Sequence, residues 1–188
     1  MTNRIVLPLV FMLAFGCGVA AAMRPQSREH LTPQEIDLVK DTQELDKRID
    51  VFVKAAERRV LALNGVDAVS AKQLKKDAEA WGELPSGTRA ELIGDIARIF
   101  DEAITNIDDL SARDERNPLI PKAIRRLAAA TTTILDRLRS SEAQAKNQAE
   151  VGNLELLKAN ADEILQAATK LPPVPEKMSK GEKSKEKH

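Results

Sequence analysis

The sequence predicts an all-α protein, an elongated antiparallel helical bundle of about five helices, four long and one short. Three observations predict it. The chain has no Tyr, only four Phe and one Trp, while Ala, Leu, Ile, Glu, Lys and Arg dominate, a composition that favours helix over strand. Capping signatures recur along it, and apolar residues repeat in steps of three and four, as a helix that buries one stripe requires.

The first residues read as a leader. Met1 to Arg4 form a short basic end, Ile5 to Ala22 an apolar stretch, and Ala20-Ala21-Ala22 a small-residue cleavage site, the layout of a secretory signal over residues 1–22. A retained anchor is the alternative, but the run is broken by Pro8 and ends in alanines rather than in a Lys/Arg stop, and a span needs about 20 apolar residues. Lipid attachment at Cys17, which follows Gly16, is a second alternative and would tether the protein. The expected location is therefore the periplasm or the exterior, as a free protein or a lipoprotein. Residues 23–30 form a short lead-in.

The bundle is expected over residues 23–171. Thr32, Pro33 and Glu35 make a capping box with proline at the first helical position, and Leu31 with Ile36 completes a hydrophobic staple. The same grammar recurs at Ser70 with Gln73, Thr88 with Glu91 and Asn147 with Glu150; Asn117 before Pro118 marks a further start, or one shifted to Pro121. Stops are marked by Asn64-Gly65 and by Gly82 with Pro85 and Gly87. Helices are expected near 33–63, 71–81, 88–113, 118–145 and 148–170. At about 1.5 Å per residue the first would reach roughly 46 Å, which makes the bundle elongated.

Three seams face one another: Ile93, Ile96, Phe100, Ala103, Ile107, Leu110; Ile120, Ile124, Leu127, Thr131, Ile134, Leu138; and Leu154, Leu157, Ala161, Ile164, Ala168. Leu45, Ile49, Phe52, Ala56, Val60 and Leu63 give the first helix its own seam, and Glu44/Arg48 and Asp50/Lys54 sit at i,i+4 on its polar side. Beyond Leu171, three prolines and a run of Lys, Glu, Ser and Gly leave almost nothing to bury, so residues 172–188 are expected to be a disordered Pro/Lys-rich tail.

Charge and chemistry narrow the function. Lys+Arg and Asp+Glu balance at 29 each, and few aromatics are present to stack bases, so nucleic acid is not an expected partner. Loss of Cys17 with the leader would leave no cysteine for a disulfide or zinc-thiolate site. His30 and His188 lie at the edges of the helical part, where neither can join a Glu-x-x-His pair or serve a nucleophile. No G-x-S-x-G elbow, P-loop or G-x-G-x-x-G cradle is present. No catalytic, cofactor or metal residue is assigned, and no small-molecule substrate is evident. Asp101, Glu102, Asp108, Asp109, Asp114 and Glu115 form the densest acidic stretch, with Glu102, Asn106 and Asp109 on one helical face near Arg113; it reads as a solvated face. The doublets Lys75-Lys76, Arg58-Arg59 and Arg125-Arg126 read as ordinary helix surface, and Trp81 as a packing anchor.

Leu31-Thr32-Pro33-Gln34-Glu35 resembles the L-T-x-x-Q signature of Spy- and CpxP-like periplasmic chaperones, small exported all-α proteins, although the fifth position is Glu35 and no second copy appears. The resemblance implies a client-binding role as one alternative; an enzyme without a recognisable motif is another. The leading expectation is a non-enzymatic exported protein that acts by protein–protein binding or self-association. The candidate partner surface is Val51, Ala55, Leu61 and Ala62, apolar residues outside the arc of the first seam. A short helix carrying Leu74, Ala78 and Trp81 would cover that face if it folded back; otherwise the face is free to dock a partner. Intact-mass analysis of exported protein should show a chain beginning at Met23, and a species beginning at Cys17 with added acyl mass would replace the free protein with a lipoprotein.

Overall fold

The computed structural model describes residues 28–142 and 147–173. The expected leader, the lead-in before Arg28 and the tail beyond residue 173 lie outside the described residues, as does the stretch 143–146. The order is α1 Pro33–Asp41, α2 Leu45–Asn64, α3 Ala68–Trp81, α4 Arg89–Arg113, α5 Leu119–Glu142 and α6 Gln148–Thr169.

Among the described residues six helices appear instead of five, because the expected first helix breaks at Thr42. Thr42 is extended, at φ −92° and ψ 107°, and both its hydroxyl (2.7 Å) and its N–H (3.2 Å) donate to the Leu38 carbonyl. Thr competes with the helical backbone through such local bonds. Arg48 Nε then closes the turn by donating to the Thr42 carbonyl at 2.9 Å. The nine residues of α1 fold back against α2, so no continuous helix over residues 33–63 extends the bundle.

The remaining boundaries follow their caps. Thr32 and Thr88 complete capping boxes with Glu35 and Glu91, and the Asn147 side chain accepts the Glu150 N–H at 2.9 Å. α3 starts three residues before the expected position: the cap is Asp67, whose carboxylate accepts the Ser70 N–H at 2.7 Å. Aspartate is as good an N-cap as serine, and a cap at Asp67 lets the helix begin earlier. Gly65 and Gly82, at φ 86° and 63°, end α2 and α3, in the left-handed region that glycine enters without steric cost.

α2, α4, α6 and α5 form a ring in that order, with α4 and α5 touching across it. The four long helices α2, α4, α5 and α6 alternate in direction along the chain: the start of α2 lies beside the end of α4, Ile107 of α4 lies by Ile124 of α5, and Leu127 of α5 lies by Ile164 of α6, whereas Leu135 lies by Lys158. Two pairs of spatial neighbours are parallel. Asp50 bonds Arg126 and Asn64 bonds the Arg137 carbonyl, which aligns α2 with α5. Asn153 donates to the Ala90 carbonyl at 2.7 Å and Asn160 to the Ala97 carbonyl at 2.9 Å, which aligns α4 with α6.

All four seams point inward, and Ile49, Phe52, Ile93, Ile96, Phe100, Leu127, Ile134, Leu138 and Leu157 are fully or almost fully buried. Gly94 and Ala97 make the α4–α6 contact close: a Cβ at position 94 would lie 2.7 Å from Asn153 Nδ2. Gly94→Leu should therefore lower stability by about 2–3 kcal/mol through overpacking. That corresponds to a melting drop of about 4–12 °C for a chain of this size, and calorimetry showing a drop below about 2 °C would mean that α6 does not sit this close.

Candidate functional site

Polar chemistry concentrates where α1, α2 and the α3–α4 linker meet. Glu35 is fully buried at 0% exposure, with Arg58 at 2% and Arg59 at 1%. Glu35 Oε2 accepts the Thr32 N–H at 2.9 Å, completing the cap. Its Oε1 accepts from Arg58 Nε at 3.2 Å and from Arg59 Nη1 at 2.6 Å. Arg58 Nη2 donates to the carbonyls of Trp81 (3.0 Å) and Gly82 (3.2 Å) and to that of Glu83. Arg59 reaches the Ala55 carbonyl at 2.9 Å and the His30 carbonyl at 2.6 Å. Burial lowers the Arg58 pKa from its ordinary value, and the charge and hydrogen bond of Glu35 oppose that shift.

The doublet Arg58-Arg59 therefore lies in the interior and is not ordinary helix surface. Arg59 stands one helical turn after Ala55 and Ala56, so it continues an apolar stripe of α2. That is the sequence signal for an interior position, and it becomes interpretable only once α1 is known to fold back. The residues that resemble the chaperone signature are likewise taken up by folding, since Thr32 and Glu35 make the cap and Leu31 is buried.

A second cluster joins α3 to α2. Lys54 Nζ pairs with Asp77 at 2.7 Å and lies 4.5 Å from the centre of the Trp81 ring, with Arg58 at 5.7 Å. The hydrogen bond from Lys54 holds the Asp77 carboxyl below its ordinary range, with further help from Gln73. A depressed carboxylate of this kind adds stability above the ordinary carboxylate range, and the contribution is lost as pH falls through the folded-state value.

The segment before α1 is strapped across α4. Arg28 bonds Asp95 at 3.0 Å and the Ser86 carbonyl at 2.6 Å, and His30 Nε2 meets Glu102 Oε2 at 2.7 Å. Most of the acidic stretch is the solvated face expected, with Asp101, Asp108, Asp109, Asp114 and Glu115 exposed; Glu102 and Asn106 are engaged, Asn106 by Arg48 Nη1 at 3.0 Å. Nor do Asp50 and Lys54 pair along α2. Asp50 takes Arg126 of α5 at 2.6 Å, and Lys54 takes Asp77 of α3. Among the described residues no group of three or more His, Cys, Asp or Glu is placed to hold a metal ion.

The expected partner surface divides. Ala55 is fully buried, so it is no surface residue. Val51, Ala55 and Ala62 lie on the stripe of Arg48 and Arg59, the two residues that bond the α1 segment. Val51 is half-buried against the core. α1, which the sequence placed in line with α2, packs back on α2 between the levels of Arg48 and Arg59. Leu61 turns instead toward Ser70, Gln73 and Leu74 of α3 and borders a cavity of about 330 Å³. Sequence reasoning did not single out Val66 and Val69, which are 45% and 81% exposed at the α2–α3 corner.

The chain matches no family model, no curated protein and no solved structure.

Sealed from solvent and holding three donors, Glu35 ties the start of α1 to Arg58 and Arg59 of α2. Glu35→Gln keeps the shape and removes the charge between two buried guanidinium groups. Urea unfolding should show a loss of about 3–5 kcal/mol, the cost of leaving a buried charge unpaired. A loss near zero would show that the arginines reach solvent in solution.

Proposed function

We propose that the protein is an exported, non-catalytic helical bundle that works by binding a protein partner, in the cell envelope or outside it. The observation that carries this reading is the α2–α3 corner, where Val66 and Val69, three residues apart, stand in solvent while most large apolar side chains of the bundle are buried. Exposed apolar groups gathered at one place favour association. The leader-like Met1 to Ala22 stretch supports export, and among the described residues no helix is long and apolar enough to cross a membrane.

Affinity capture with crosslinking from the native envelope fraction tests the reading. Wild type should retain a specific protein, and Val66→Asp with Val69→Asp should lose at least nine-tenths of it at unchanged melting temperature, since exposed positions tolerate charge. Equal capture by wild type and the double variant would place the contact elsewhere, and no specific capture at all would remove the reading.

A further inference from the structure

α3 is seated differently from the other long elements. Of its 14 residues only Trp81, the last, is buried, whereas α4 buries ten of its own. Glycines with positive φ flank it on both sides, Gly65 before and Gly82 after. Nothing lies within 4 Å of a Cβ at position 65. The Trp81 end is fixed, because Arg58 holds the carbonyls of Trp81, Gly82 and Glu83 and the ring is covered by Lys54. Toward its start, α3 borders a solvent-open cleft of about 330 Å³ lined by Leu61 of α2, Leu74 of α3 and the polar side chains of Glu57, Gln73 and Arg137. The Lys54–Asp77 pair, at 2.7 Å with side chains 34% and 17% exposed, is the ion pair that crosses from α2 to this helix.

We infer that α3 is a hinged flap: it pivots about its Trp81 end, with Gly65 as the free hinge and Lys54–Asp77 as the latch, and opening widens the exposure of the half-buried Leu61 and Leu74. The physical grounds are a helix with one buried anchor, a glycine joint at Gly65 with open space around it, an open cleft alongside and a part-exposed ion pair as fastening. Such a pair contributes modestly and is weakened by salt, which suits a fastening that opens without unfolding the bundle.

Amide hydrogen exchange on the full chain tests this. Ala71 to Lys76 should exchange well ahead of the buried turns of α4 and α5. Asp77→Asn should accelerate them up to about fivefold, the factor that corresponds to the upper range for such a pair, while leaving α4 and α5 unchanged. Glu79→Gln, an exposed acid on the same helix, should change nothing. Collisional quenching of Trp81, the only tryptophan, should stay at the wild-type level in Asp77→Asn. The flap is overturned if α3 amides exchange as slowly as those of α4, or if Asp77→Asn leaves them unchanged or accelerates all helices alike. A rise in Trp81 quenching would show the whole helix leaving and would overturn the pivot. One further outcome rests on the partner reading above: if the opened face contributes to docking, Asp77→Asn should also raise capture. Exchange reports the flap and capture the partner, so the two fail separately.

Discussion

The carboxylate of Glu35 is the constraint on which the rest of the structure depends. One oxygen serves a backbone cap and the other receives two guanidinium groups. Two arginines inside an apolar stretch of α2 would be prohibitive without that counter-charge, since an unpaired buried ion costs several kcal/mol even after relaxation. The attraction requires α1 to turn back, because only then does Glu35 stand beside Arg58 and Arg59. A helix of nine residues has little stability alone, so α1 owes its persistence to this contact and to the apolar side chains it lays on the core. The arginines pass the constraint on: Arg58 fixes the linker that leaves α3, and Arg59 fixes the strap that enters α1.

Elsewhere the bundle divides its work between shape and charge. The α4–α6 contact is close because Gly94 and Ala97 offer little side chain, and two asparagines of α6 bond carbonyls of α4 across it. The contacts of α2 with α3 and α5 instead carry ion pairs, Lys54–Asp77 and Asp50–Arg126. These pairs are individually worth little at the surface, but they set which helices stand side by side after the seams have closed the core.

Much of this was legible from the chain itself, and the reasons are local. A capping box is a short-range bond, so Thr32-Glu35 and Thr88-Glu91 announce their helices wherever they fold. Apolar spacing likewise reports an inward stripe, so the seam of α4 is buried from Ile93 to Ile107. What escaped depends on contacts distant in sequence. Thr42 breaks a helix that periodicity alone would continue, and its effect is confirmed only by Arg48 and by the return of α1. The Arg58-Arg59 doublet looks like surface until a carboxylate 23 and 24 residues earlier is brought to it. Ala55 looked unpartnered because α1, which packs back on α2, was read as an extension of the same helix. The exposed corner at Val66 and Val69 was overlooked because two valines near a cap carry no periodic signal.

The parallel alignment of α4 with α6 bears on how the protein is made. Ala90 and Ala97 meet Asn153 and Asn160, each 63 residues later in the chain, and the two helices are separated by all of α5. During synthesis, which proceeds at about 5–20 residues per second, the groove along Gly94 and Ala97 stays vacant until the last helix emerges. The half-made chain carries an apolar flank with its final partner still unwritten, a state in which holding proteins or delayed collapse would matter more than the speed of any single helix. Of the helices described, the one synthesised latest, α6, is the one that closes the core.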